Sequence, residues 1–374
     1  MEGKDPVMVI KEALSKALVF YNPSAGRLWE GLNGKLMVDC TDEGVLFTEA
    51  DANVTLDQLG DAIQPPSPYL DQLLKSVPSS DAIIGCPSLS FQVTRLICGG
   101  FILAFFNHTI CDAYGLIQFL KVMEEMVQCA EKPSLVPVWE RQLLNARETP
   151  RVTCIHHEYD KTDDTQDFLT AMDPNDNNHK SFFFGHREIQ ALRDRLLVDL
   201  RSCSTFELIT ACIWKCLTTS LELDSDEIVR VSCVVKVREK DYNMDLPPGY
   251  YGNAFAYPAV CTKAHIFCEN PLGYAVELVK ETKAKMSEEY IRSMADLLVI
   301  RGRPRLIFKG NFIVCDNSRI SSEKLILVGV NLSEVELQKR DREIGKLVPI
   351  WLPRSSLRRF EQEFKKMTLG IFIK

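Results

Sequence analysis

What this 374-residue sequence lacks already excludes several kinds of protein. Positive charge is not in excess. There are 44 Lys and Arg against 51 Asp and Glu, a formal net charge of −7, which argues against a dedicated nucleic-acid or membrane-surface binder. An anionic substrate would need a local basic pocket set against that overall sign. No apolar run is long enough to span a bilayer, and the start, Met1-Glu2-Gly3-Lys4-Asp5-Pro6, is no secretory signal. The 13 cysteines include no CxxC pair and sit in apolar stretches such as Leu96-Ile97-Cys98, so they read as reduced, core-filling thiols of a cytoplasmic protein. There is no G-x-S-x-G elbow, which weakens a serine-hydrolase reading.

What is present reads as a globular α/β chain. Hydrophobic residues make up 46% and charged residues 25%, and the length favours two domains over one. A helix is expected from Pro6, with Val9, Leu14, Leu18 and Val19 on one face, ended by Asn22-Pro23-Ser24-Ala25-Gly26. Short strands follow at Leu36–Cys40 and Val45–Glu49. Phe91–Ile97 and Phe101–Phe106 flank Cys98-Gly99-Gly100 as a hairpin, and Leu116, Phe119, Leu120, Met123 and Val127 then fall at helical spacing. The Asp- and Asn-rich stretch 160–180 reads as a linker or crossover, dividing a first domain, 1–159, from a second, 181–374. In the second, Ser204-Thr205-Phe206-Glu207 is a capping box, and strands are expected at Val229–Val237 and Phe312–Cys315 before a last helix near Ser355–Met367.

Chemistry concentrates at Asn107-His108-Thr109-Ile110-Cys111-Asp112-Ala113-Tyr114-Gly115, the end of an apolar strand and the start of a helix. A His and an Asp at such a junction are placed to face a cleft. Asp112 is also the natural N-cap of the helix, and a lone HxxxD match is more often coincidence than catalysis. Cys111 adjoins the histidine, but successive residues at an extended strand end point apart. His156, His157, His179, His186 and His265 lie in polar contexts without ligand spacing and are expected to be solvated; no metal site is expected.

Read with its neighbours, the string resembles the HxxxD motif of the plant acyl-CoA-dependent acyltransferases, the BAHD family. The resemblance is carried by Lys11–Leu18, Ser24-Ala25-Gly26-Arg27-Leu28, the histidine segment, Ser204–Glu207, Pro248-Gly249-Tyr250-Tyr251-Gly252-Asn253 and Val348-Pro349-Ile350-Trp351-Leu352-Pro353. Val138–Arg147 and Tyr251–Phe255 point to its alcohol-acylating branch of benzyl alcohol O-benzoyltransferases and methanol O-anthraniloyltransferases. The resemblance implies two chloramphenicol-acetyltransferase-like α/β domains with mixed sheets and a channel between them. It implies His108 as general base, Asp112 holding the loop, acyl-CoA and a small alcohol as substrates, no permanent cofactor or metal, and a cytoplasmic monomer. For the coenzyme it suggests Lys236, Arg238 and Lys240, the Arg301-Gly302-Arg303-Pro304-Arg305 run, and a supporting part for Tyr251, Gly252 and Asn253.

The sequence departs from the family at two places. Several dozen residues with an opening strand usually precede the point where it starts, and the second hallmark, DFGWG, is absent after Asp316-Asn317-Ser318-Arg319. Glu323–Val330 stands there instead. Lys324–Val330 can be encoded AAG-TTG-ATT-TTG-GTT-GGG-GT, and read from its third base this string gives Val-Asp-Phe-Gly-Trp-Gly. A frameshift, retained intron or misplaced exon boundary is the expectation, with part of the second domain lost near 320–345. The alternative is a catalytically inactive, truncated member of the family. Sequencing the transcript across Arg319 to Lys346 decides the matter. The expected result is this codon string, and codons that cannot be re-read in the shifted frame would end the idea.

Overall fold

The computed structural model describes residues 5–59, 84–99, 101–106, 108–160, 177–238, 242–316, 333–340 and 343–369. The Glu323–Val330 stretch and Lys240 lie outside them. The chain forms two compact units. The first is Met1–Glu148 with Met244–Ala254 and Leu298–Arg303; the second is Thr149–Asn243, Phe255–Leu297 and Pro304–Lys374.

In the first unit, helix α1 (Pro6–Leu18) starts where the sequence says it should. Pro6 needs no amide partner in the first turn, and Asp5 Oδ1 accepts the Val7 N–H at 3.1 Å. Its buried stripe of Val7, Ile10, Ala13, Leu14 and Ala17 shares a core with Phe119, Val122, Met123 and Met126. Strands β1 (Arg27–Glu30) and β2 (Leu36–Asp39) form an antiparallel ribbon. The sequence reading missed β1, whose single buried side chain, Leu28, leaves no alternating pattern. Strand β3 (Leu46–Ala52) runs parallel to β4 (Ser90–Leu96), and β4 turns back antiparallel into β5 (Phe101–Phe106), the expected hairpin. Helix α2 (Ala113–Val127) follows the histidine loop.

The second unit holds a mixed sheet. Its strands are β6 (Asn177–Phe184), β7 (Ile228–Cys233), β10 (Ala259–Lys263), β11 (Asn311–Asp316), β12 (Ser333–Arg340) and β13 (Glu343–Pro353), in the order β10-β7-β11-β12-β13-β6. The pairs β7–β11 and β11–β12 are parallel and the others antiparallel. Strands β8 (Val235–Lys236) and β9 (Phe255–Ala256) form a separate short ribbon. Helices α3 (His186–Asp194), α4 (Thr205–Leu221), α5 (Ala264–Glu269), α6 (Leu272–Ala284), α7 (Glu288–Ile300) and α8 (Arg354–Leu369) complete it. Leu208, Ile209, Ile213 and Trp214 of α4 anchor a core with Phe267, Val276 and Phe360.

Strand β6 begins at Asn177, inside the stretch read as linker, because β13 offers a continuous ladder from Pro353↔Asn177 to Lys346↔Phe184. A partner strand overrides poor strand composition. Residues 149–159, read with the first domain, belong to the second unit. The Arg151 N–H donates to Asp296 Oδ2, and the Thr153 and Cys154 N–H groups both donate to Ser293 Oγ, each at 3.0 Å. All 13 cysteines are free thiols, but Cys203, Cys212, Cys216 and Cys233 alone are fully buried, so core filling describes only part of them. Burial pushes the Cys233 thiol up to about 12, which makes it inert.

The expected capping box is present. The Ser204 side chain accepts the Glu207 N–H, and a Glu207 carboxylate oxygen accepts the Ser204 N–H at 2.9 Å. Burial works to raise the Glu207 carboxyl, but Lys283 Nζ at 2.7 Å and the Ser204 N–H outweigh it, leaving its pKa below the ordinary 4.5. A lowered folded pKa stabilises the protein above the unfolded value, and that gain is lost as pH falls through the folded one. Glu207→Gln is therefore expected to lower stability at neutral pH and to flatten the further loss below pH 4.5, measured by urea unfolding across pH.

Candidate functional site

The loop between β5 and α2 passes from exposed to buried along its length. His108 and Thr109 are exposed, whereas Ile110 and Asp112 are each only 5% exposed. Ile110 belongs to the first unit's core, and Cys111 packs half-buried against the same core. The Cys111 thiol, three residues after the histidine, therefore faces packed side chains. Asp112 uses both carboxylate oxygens. Oδ1 accepts the Gly115 N–H and caps α2, while Oδ2 accepts the Ala254 N–H, each at 3.1 Å. The capping role and the loop-holding role coexist on one side chain.

Residues 244–254 and Arg141 hold the loop by its main chain. Asn253 Nδ2 donates to the His108 carbonyl at 2.9 Å and to the Thr109 carbonyl at 3.0 Å. Arg141 Nη2 donates to the next carbonyl, that of Ile110, at 2.9 Å. Val138 N–H and Gln118 Nε2 both donate to the Gly249 carbonyl, at 2.8 and 2.9 Å, and so fasten the segment itself. Gly249 takes φ +90, a left-handed backbone that suits glycine alone. Behind the loop, a cavity of about 20 Å³ lined by Tyr21, Ser88, Ile110, Cys111 and Tyr251 has no room for an organic substrate.

Two expectations need correcting. Tyr251 was a candidate for coenzyme contact, but it is 2% exposed, with its ring 4.7 Å from that of Tyr21, and burial pushes its hydroxyl pKa up even with Arg141 opposing. Gly252 is buried too, so this pair supports the loop and offers a ligand no surface. His156, read as solvated, is 4% exposed. Its Nδ1 lies 3.0 Å from Glu158 Oε1 and its Nε2 lies 2.9 Å from Ser293 Oγ, while Tyr290 donates to the same glutamate oxygen at 2.6 Å. Glu, His and Ser stand in the order of a hydrolase relay, but Ser293 is fully buried and already accepts two backbone N–H groups. This trio fastens residues 153–158 to α7 and is no nucleophile. His157 pairs with Asp160 at 3.0 Å, and His265 lies 2.7 Å from the Ser225 carbonyl on the surface.

Lys236 ends β8 and Arg238 follows it, both half-buried in the second unit, whereas Arg301 and Arg305 are exposed. A cavity of about 440 Å³ in that unit is mainly apolar, lined by Trp214, Leu217, Leu221, Val229, Phe312 and Leu352, with Thr218, Glu227 and Lys309 also on its wall. Among the described residues no cluster of His, Cys, Asp and Glu suits a metal ion.

A model of the Transferase family matches residues 2–327. The chain belongs to that family. This is the acyl-CoA-dependent BAHD family that the HxxxD segment resembles. The chain is 51% identical to alcohol acyl transferase 1 (allele RGb) of Malus domestica, over 98% of its own length and 84% of that protein's. It is 48% identical to benzyl alcohol O-benzoyltransferase of Petunia hybrida, over 99% and 84%. Among solved structures it superposes on TRI101 of F. sporotrichioides, crystallised with coenzyme A and T-2, with TM-score 0.70 and 14% identity over 97% of this chain and 92% of that one. Vinorine synthase gives TM-score 0.68 and 18% identity over 98% and 87%. These distant likenesses show the fold, mixed α/β of the chloramphenicol-acetyltransferase kind.

In this member of the Transferase family the first turn of α2 and the supporting segment meet closely at Gly115. A Cβ added to Gly115 would stand 2.0 Å from the Tyr251 carbonyl oxygen, a backbone atom that cannot swing aside. Gly115→Ala is expected to cost at least about 1–3 kcal/mol through overpacking. Thermal unfolding should show a lowered Tm, and activity should fall with it.

Proposed function

We propose that this chain is an acyl-CoA-dependent alcohol O-acyltransferase in which His108 is the general base. The observation that carries the reading is an exposed imidazole on a loop held by Asn253, Arg141 and Asp112. The relatives' activities agree with it. An alcohol is about as weak an acid as water, pKa about 15.7, and an ordinary imidazole sits near about 6.5. Making a free alkoxide first would cost about 12 kcal/mol. His108 therefore takes the hydroxyl proton as the oxygen bonds to the thioester carbonyl carbon. The tetrahedral adduct then expels the coenzyme A thiolate, whose thiol pKa of about 8.5 makes it a good leaving group. The imidazolium returns its proton to that sulfur, and no covalent enzyme intermediate is needed. Asp112 keeps the loop in place and does not touch the reacting atoms.

Benzoyl-, anthraniloyl- or acetyl-type thioesters are the donors, and a small alcohol is the acceptor. Lys236 and Arg238 are the cations proposed to meet the coenzyme phosphates. The net charge of −7 argues against a nucleic-acid partner. Among the described residues no helix is long and apolar enough to cross a membrane. A cytoplasmic monomer is the state proposed.

Thioester cleavage with benzoyl-CoA and benzyl alcohol tests this. Turnover is expected, and His108→Ala should lower it by about 10²–10⁴-fold. Asp112→Asn should lower both turnover and Tm, because an amide placed for both contacts sets an N–H against one of the two backbone donors. A soluble, folded wild type without turnover would instead favour an inactive member of the family.

A further inference from the structure

One cation beside the histidine loop has no part in the reaction as written. Arg141 lies in the Val138–Arg147 stretch, which the sequence marks out without attaching chemistry to it. Its guanidinium carbon is 3.9 Å from the Trp139 ring centroid, 4.9 Å from that of Tyr251 and 5.4 Å from that of Tyr250. From this nest of aromatic rings Nη2 reaches the Ile110 carbonyl at 2.9 Å. Among the described residues no carboxylate forms an ion pair with it, so ring faces and a loop carbonyl meet its charge. The seat is made by a missing side chain. A Cβ at Gly252 would stand 1.2 Å from Arg141 Nη1.

We propose that Arg141 is a positioning residue for the general base, fixing the middle of the loop between His108 and Asp112. Asn253 holds the carbonyls of His108 and Thr109, and Asp112 is tied to Gly115 and Ala254. The Arg141 bond at Ile110 joins these two anchors into one continuous restraint. Arginine suits the task where lysine does not. A planar guanidinium can lie against rings and still present one N–H edge-on to a carbonyl, whereas an ammonium is a hydrated point charge without a plane. The rings also shield the bond from water, which strengthens it. Arg141 touches no reacting atom in this scheme. Its effect reaches the chemistry through the placement of the imidazole, where a misplacement of about 1 Å costs about 10²-fold in rate.

The inference rests on His108 being the base, so its test includes a readout that does not need turnover. Arg141→Lys and Arg141→Ala are each compared with wild type by steady-state kinetics, thermal unfolding and hydrogen exchange of the peptide spanning residues 108–112. Expected for both variants is a fall in kcat of at least about tenfold, with KM for the acyl-CoA little changed, Tm near wild type, and faster exchange in that peptide alone. Millimolar guanidinium, far below denaturing concentration, should restore part of the kcat of Arg141→Ala, and methylammonium should not. Wild-type kcat together with wild-type exchange in Arg141→Lys would overturn the proposal, as would a Tm drop with exchange raised throughout the chain. If the wild type itself shows no turnover, the acyl-transfer reading fails separately, and the exchange of residues 108–112 alone decides for or against Arg141.

Discussion

The arrangement at His108 depends on how one carboxylate is shared. Asp112 is buried, and burying an ionised group unpaired is costly. Here its two oxygens take two backbone N–H groups from opposite ends of the problem: Gly115 in the first turn of α2, and Ala254 at the end of a segment that returns 142 residues later. Hydrogen bonds to a charged acceptor contribute about 1.5–3 kcal/mol each. Both donors meet on one buried side chain, so helix start and supporting segment are tied to each other through it.

From that fixed point the restraint runs back along the loop through main-chain carbonyls. The carbonyls of His108, Thr109 and Ile110 are each met by a side-chain donor from outside the loop. The two neutral bonds from Asn253 contribute only about 0.5–1.5 kcal/mol net each, and the charged one from Arg141 about 1.5–3 kcal/mol. Their value lies in direction, because fixing three successive peptide planes leaves little freedom in the backbone that carries the imidazole. The glycines belong to the same design. Gly115 and Gly252 leave no room for a Cβ against Tyr251 and Arg141, which brings backbone and guanidinium to hydrogen-bonding distance.

Local signals in the sequence carried well into the structure. The helix start at Pro6, the β4–β5 hairpin and the Ser204–Glu207 capping box are decided by residues within a few positions of one another, and each stands where the pattern placed it. The HxxxD segment was legible as chemistry only through its neighbours, since the capping function of Asp112 alone would explain the aspartate. Decisions made at long range were not legible. His156 is polar and sits among polar residues, and nothing nearby says that Ser293, 137 positions on, will take its second nitrogen into the interior. Strand β6 extends to Asn177 because β13 offers a ladder there, against the preference of its own residues. Tyr251 was visible as part of a motif, but its direction, inward to Tyr21, follows from packing that no motif spells out.

Holding a catalytic loop by its carbonyls has a consequence for how the site can vary. The bonds from Asn253 and Arg141 do not depend on which side chains occupy positions 108 and 109, both of which face outward. The scaffold thus aims position 108 through its main chain, and these bonds do not pass through the His108 side chain, whereas Asp112 carries two of the loop's contacts itself. On the proposed reading the base is separable from the structure that aims it, because the aiming is done through main-chain carbonyls and the chemistry falls to one exposed residue.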